Sequence, residues 1–157
     1  MEAMPKPVII GMNNPLSEYA RFALYPAPAN CTGHRLWKLL SMRTGASMSD
    51  YINTFDRLNL VESRVWSKKE ADRRVKILIP TLRDREVLVL GTKVRDAFGL
   101  PPMLVHPVRM HDAVFRQLPH PSGRCRWYND EANREIASLL LEELYEKGRE
   151  NASQEKV

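Results

Sequence analysis

The chain has 157 residues, with 24 Lys and Arg against 19 Asp and Glu and a formal net charge of +5. That length fits one domain with its own hydrophobic core, and 43% hydrophobic with 27% charged residues is ordinary for a globular domain. Two distant cysteines, Cys31 and Cys125, exclude a disulfide framework and a paired-cysteine metal site, and no apolar run reaches membrane-spanning length.

Residues 1–7 are a short lead-in. Val8-Ile9-Ile10 reads as a buried strand, stopped by Gly11. An irregular segment rich in Pro, Asn and Ala runs from Met12 to about Gly33. Loops of that length in a compact domain are functional or disordered, and the interleaved Tyr19, Phe22 and Tyr25 argue against disorder. Residues 34–43 carry the helical period, with Leu36, Leu39 and Leu40 on one face. A short helix over 49–55 and a second strand over 58–61 follow. Ser67 and Glu70 form a capping box that opens a helix running to about residue 78, ahead of Pro80. Residues 86–90 are apolar on both faces, as a central parallel strand must be. Gly91-Thr92 turns into a helix over 93–98, which Gly99, Pro101 and Pro102 break. Residues 114–118 read as a fourth strand, 119–129 as a loop, and 130–147 as an amphipathic helix with Ile136, Leu139, Leu140 and Leu144 inward.

Strands separated by helices imply βαβ units. The expected fold is α/β, a three-layer α/β/α domain over residues 1–150 with a central, mainly parallel four-stranded sheet, followed by a flexible tail over 151–157. Ligands bind such sheets at the carboxyl ends of the strands. The loops after Ile10 and Leu118 belong there, and they are the two most unusual stretches of the chain.

Charge is unevenly spread. From Asp130 onward the chain carries Glu131, Glu135, Glu142, Glu143, Glu146, Glu150 and Glu155, so the remainder is more basic than the net charge suggests. A basic body suits a polyanion partner, and mild basicity also aids solubility. Lys68, Lys69, Arg73, Arg74 and Lys76 form the solvated face of a helix that can add non-specific DNA affinity. His34, His106, His111 and His120 lack metal-ligand spacing, so neither a metal nor a cofactor is expected. The setting expected is reducing and cytoplasmic, without a membrane.

Two segments carry chemistry. In Gly11-Met12-Asn13-Asn14-Pro15, Gly permits a tight turn and Pro stiffens its exit, so an amide held there can position a water or simply close the turn. In Leu118-Pro119-His120-Pro121-Ser122-Gly123-Arg124, two prolines and a glycine shape a rigid loop around one His and one Ser. An imidazole fixed there can donate to an oxygen that gains charge.

Together, in this order, and with a Val-Leu-Val-Leu-Gly strand between them, the two segments resemble the uracil-DNA glycosylase superfamily. The mismatch-specific and thymine-DNA glycosylase branch is most similar, with first motif G-I-N-P-G, a P-x-N-R-F-W helix start and last motif L-P-N-P-S-G. Here the middle piece reads Pro28-Ala29-Asn30, then Gly33-His34-Arg35-Leu36-Trp37. The resemblance implies a DNA partner, monomeric action, and extrusion of one nucleotide into a pocket at the strand ends. There its N-glycosidic bond is hydrolysed without metal or covalent intermediate.

The same resemblance implies residue roles. The first-motif amide that orients the water is Asn13 by position after Gly11 and Asn14 by adjacency to proline. His120 stabilises the departing base anion, although the most similar branch has Asn at that position. Met12, Phe22, Tyr25 and Asn59 are the base-binding candidates, with Phe22 or Tyr25 stacking and Asn59 reading the pyrimidine edge. Each is also an ordinary core or strand-end residue on its own pattern. Ser122, Gly123, Arg124 and Arg126 would meet DNA, Ser122 through a phosphate.

The sequence departs from the family pattern in one constrained turn. There is one extra Asn, and Leu16 stands where glycine follows the proline. Three expectations follow. The first is a glycosylase for uracil or a mismatched or modified pyrimidine. The second is a transferase that modifies a pyrimidine in DNA, as bacteriophage hypermodification requires. The third is a DNA-binding member without catalysis.

Overall fold

The computed structural model describes residues 5–155, with side chains through residue 150. Val8–Gly11 (β1), Asp56–Asn59 (β2), Glu86–Leu90 (β3), Val108–Met110 (β4) and Ala113–Leu118 (β5) form one sheet in the order β2-β1-β3-β5-β4. β1 lies parallel between β2 and β3, β5 lies parallel beside β3, and β4 is antiparallel at the edge. The helices are Thr32–Thr44 (α1), Met48–Thr54 (α2), Lys68–Leu78 (α3), Thr92–Ala97 (α4) and Glu131–Glu155 (α5).

Strand side chains alternate between faces, and both faces are buried. Ile9, Leu88 and Leu90 pack with Leu36 and Leu40 of α1 and Leu140, Leu141 and Leu144 of α5. Val8, Ile10, Val87 and Val89 pack on the other face with Ala71 and Val75 of α3 and Val94 of α4. The molecule is therefore α/β, with helices on both faces of a mostly parallel sheet.

Five strands replace the four expected. β4 has only three residues and follows Pro107, too short for an alternating pattern to register. It joins β5 through His111-Asp112, both at positive φ (53° and 61°), with Met110 opposite Ala113. That is a two-residue hairpin of the primed type without its usual Asn or Gly. β2 lies earlier than the expected 58–61. Leu60 and Val61 are buried but already leave the sheet, and their N–H groups donate to the carbonyls of Gly11 and Met12 at 2.8 and 2.9 Å.

The inward face of α5 also differs. Ile136 and Leu139 are 40% and 47% exposed, while Ala137, Ser138, Leu140, Leu141, Leu144 and Tyr145 are buried. Small residues let α1 approach, and the Ser138 hydroxyl donates to the Leu39 carbonyl at 2.7 Å. The α5 backbone continues past residue 147 to Glu155, into the segment expected to be a flexible tail; residues 156–157 lie outside those described.

The capping box at Ser67 forms only by half. Its hydroxyl accepts from the Glu70 N–H at 3.3 Å, but the Glu70 carboxylate accepts from the Ser63 hydroxyl and the Glu62 N–H. The reciprocal box stands at Ser47 and Asp50, at 3.0 and 2.9 Å. The Ser47 backbone N–H, and after it the Ser47 side chain, hold the Asp50 carboxyl below its ordinary value.

Candidate functional site

The strand order reverses between β1 and β3, which opens a crevice at their carboxyl ends. A cavity of about 290 Å³ fills it. Asn13, Asn14, Phe22, Tyr25, Asn59, His120, Ser122 and Gly123 all line this cavity, although they come from four separate parts of the chain.

Each polar group is placed by a local backbone reason. Gly11 and Asn59 are register partners at the ends of β1 and β2. A Cβ on Gly11 would lie 2.7 Å from Asn59 Oδ1 and 3.0 Å from Leu24 Cδ2, so glycine lets the Asn59 amide fold across the strand end. That amide makes no hydrogen bond among the described residues and can offer both a donor and an acceptor to the cavity.

The two neighbouring asparagines differ in what remains open. Asn14 is engaged through both polar atoms. Its Nδ2 donates to the Phe22 carbonyl at 3.3 Å, and its Oδ1 accepts from the Leu16 N–H at 2.9 Å. Asn13 donates through Nδ2 to the Arg64 carbonyl at 2.8 Å, and its Oδ1 has no partner among the described residues. The Arg64 Nε in turn donates to the Pro15 carbonyl at 3.2 Å, which closes the loop from the other side.

His120 is half-buried at the end of β5. Burial pushes its pKa below the ordinary 6.5 and keeps the imidazole neutral near pH 7. Its Cβ would stand 3.2 Å from a Cβ on Gly91. Gly91 sits at φ 89°, ψ 164°, a conformation that favours glycine, and so gives the loop room. The ring nitrogens make no hydrogen bond among the described residues. The Ser122 N–H donates to the His120 carbonyl at 2.8 Å and the Cys125 N–H to the Ser122 carbonyl at 3.1 Å, so the loop is held by its own backbone.

One wall is aromatic. Phe22 meets Tyr19 and Tyr25 edge-on at 6.3 and 5.7 Å between centroids, and the Arg21 guanidinium lies 4.9 Å from the Phe22 ring centre. This wall rests on the backbone of residues 23–25. The Tyr51 hydroxyl donates to the Leu24 carbonyl at 2.7 Å and Arg57 to the Ala23 carbonyl at 2.8 Å. The Cys31 thiol donates to the Tyr25 carbonyl at 3.4 Å.

Some candidates stand elsewhere. Met12 packs against the core on the α3–α4 face and does not line the cavity. Its part is a carbonyl that accepts from Val61. Arg124 and Arg126 are exposed on the loop beyond the cavity.

Sequence reading also missed a wall. Asn30, Cys31, Thr32 and Gly33 line the cavity where α1 begins. A Cβ on Gly33 would fall 2.2 Å from the Tyr25 carbonyl oxygen, so only glycine lets the helix start so close to that backbone. The first N–H groups of α1 have no intrahelical partner and Cys31 supplies no side-chain cap, which makes this wall electropositive. The Gly33 in the P-x-N…G-H-R-L-W run was the available signal.

No aspartate or glutamate lines the cavity. Among the described residues, no group of three or more His, Cys, Asp or Glu could hold a metal ion, and no helix is long and apolar enough to cross a membrane. The site can therefore offer amide oxygens and nitrogens, one neutral imidazole, backbone N–H groups and an aromatic face. No protein-family model matches the chain, and no curated protein matches it.

Proposed function

We propose that the chain is a DNA glycosylase-like enzyme that turns one pyrimidine nucleotide out of DNA, takes its base into this cavity and hydrolyses the N-glycosidic bond. The observation that carries the reading is one shared cavity. Asn13, Asn59 and the neutral His120 all line it beside Phe22, and each keeps side-chain polar atoms without a hydrogen-bond partner among the described residues.

The chemistry follows from those groups. Asn13 Oδ1 accepts from a water and aims its lone pair at C1′ of the sugar. The C1′–N1 bond breaks as the C1′–O bond forms, and the bonding pair leaves on the base. A neutral imidazole N–H donates to the base oxygen that gains charge, and the water's proton passes to the departing base or to solvent. Asn59 reads the pyrimidine edge through donor and acceptor together, and the Phe22 or Tyr25 ring stacks on the base for roughly 1–3 kcal/mol. Asn14 shapes the loop. The exposed Arg124 and Arg126 approach phosphates, as does Ser122 at the cavity rim.

The test is a gel. Duplexes with a single uracil, a T·G mismatch or hydroxymethyluracil are incubated with the protein and treated with alkali. Strand scission is expected for at least one, and it disappears in Asn13→Ala and His120→Ala. Scission that survives both substitutions refutes the assignment.

The missing carboxylate favours a second reading. An amide orients water but takes no proton, so the same cavity suits transfer of a group to a pyrimidine already activated in DNA. A mass gain on the base without abasic sites would support that reading. Binding with neither product would mark a member without catalysis.

A further inference from the structure

A second cavity of about 250 Å³ lies beside the first and shares Asn30, Ser122 and Gly123 with it. Its wall is cationic. Arg35 and Lys38 of α1 and Arg134 of α5 line it, and no aspartate or glutamate does. None of the three makes an ion pair among the described residues.

The two guanidinium groups are oriented from behind. Arg35 Nε donates to the Asn30 carbonyl at 3.0 Å, and its terminal nitrogens have no hydrogen-bond partner among the described residues. Arg134 donates through Nη1 to the carbonyls of Tyr128 and Asn129 at 2.9 and 3.1 Å, which leaves its Nη2 open. Gly123 provides the remaining room. A Cβ there would lie 3.1 Å from Arg35 Nη2, so the guanidinium rests directly on the loop that separates the two cavities.

Half-buried cations without a carboxylate pay for lost hydration unless an anion joins them. Forked donors held in one plane suit a tetrahedral oxyanion, and the strong form of that contact is the charge-assisted one. We propose that this second cavity is a phosphate site, and that its occupant is a backbone phosphate of the DNA strand next to the turned-out nucleotide. The phosphate chemistry stands on these residues alone. The strand as its source rests on the function proposed above. Base and phosphate would then be held on opposite sides of one rigid His120–Gly123 loop.

The experiment separates the two claims. Binding of a duplex with one tetrahydrofuran abasic site is followed by fluorescence anisotropy across salt concentrations. Wild type is compared with Arg35→Gln, Gly123→Ala and the exposed Lys38→Gln, with circular dichroism confirming the fold. Arg35→Gln should weaken binding on the order of tenfold and lower the log–log salt slope by about 1. Gly123→Ala should weaken binding less. In a scan of single methylphosphonate linkages, one position near the abasic site should penalise wild type and leave Arg35→Gln indifferent.

If inorganic phosphate raises the melting temperature of wild type but not of Arg35→Gln, while no linkage depends on Arg35, the site binds a free phosphate and the strand assignment falls. If wild type ignores DNA altogether but keeps that phosphate response, the proposed function falls and the phosphate site stands. Unchanged salt slopes in both Arg35→Gln and Lys38→Gln, with no response to inorganic phosphate, would overturn the proposal entirely.

Discussion

Gly33→Ala tests whether the aromatic wall depends on a backbone contact. The new Cβ would stand 2.2 Å from the Tyr25 carbonyl oxygen and 2.4 Å from the carbonyl carbon and oxygen of Leu24, against the 3.4 Å at which ordinary contact begins. All three atoms are backbone, so no side chain can swing aside, and α1 and the 24–25 segment must part by about 1 Å. The Tyr51 hydroxyl, fully buried and 2.7 Å from the Leu24 carbonyl, loses its partner as that segment moves. An unpaired buried group costs about 1–3 kcal/mol, and overpacking adds a similar amount. About 3 kcal/mol in all lowers the melting temperature of a domain this size by about 10 °C. Tyr51→Phe removes only the hydrogen bond and should cost about 1–2 kcal/mol. A displacement of about 1 Å in the stacking wall lowers any base-directed rate on the order of 100-fold. Thermal melts and single-turnover rates on the preferred duplex measure both. If Gly33→Ala melts within about 2 °C of wild type, the contact carries no strain and the reasoning fails.

Gly11→Ala should leave stability within about 1 kcal/mol, because the nearest atoms belong to the movable ends of Asn59 and Leu24, yet it should impair base recognition as strongly as Asn59→Ala; equal base recognition in Gly11→Ala and wild type would contradict this. Asn14→Ala should lose about 1–2 kcal/mol through its two loop bonds, whereas Asn13→Ala should lose rate with little change in the urea midpoint; the reverse pattern would exchange their roles. Burial depresses the His120 pKa, so below the ordinary 6.5 the unfolded chain takes up a proton that the folded chain resists. The corresponding stability is present above that value and is lost as the pH falls through it toward the depressed folded-state value, and His120→Gln should flatten that part of the profile. On α5, Ile136→Lys and Leu139→Lys should each change stability by about 0.5 kcal/mol or less, and Leu141→Ala should cost about 2–5 kcal/mol.

The central sheet was legible because parallel strands buried on both faces need continuous apolar runs. Val8-Ile9-Ile10 and the run over residues 86–90 have no other use for such a pattern. The edge was not legible for the opposite reason. Three residues of β4, one of them Arg109 facing out, contribute little burial, and positive φ at His111 and Asp112 is a choice few sequences reveal. The α5 face shows a different limit. Ile136 and Leu139 outrank Ala137 and Ser138 in hydrophobicity, but close contact with α1 favours the residues that fit between two helix backbones. Hydropathy ranks side chains by transfer, whereas the packed face also depends on how near the backbones come.

The site was legible as two loops and not as a cavity. Strand-end position and an unusual density of Gly, Pro, Asn and His pointed to the segments after β1 and β5, and the backbone brings them together beside Asn59. Met12 sits in the same segment but turns inward, because residues either side of a strand end still alternate between faces. What one dimension could not show was the floor beneath the loops. Gly33 matters through contact with Leu24 and Tyr25, nine and eight positions away, and Arg35 through contact with Gly123, far along the chain. The paired asparagines after β1 illustrate the same principle. A polar residue in a tight turn must satisfy its own polar atoms, and Asn14 does so with the Leu16 N–H and the Phe22 carbonyl. Asn14 fixes that turn by hydrogen bonding, and the Oδ1 of the cavity-lining Asn13 is left without a partner among the described residues.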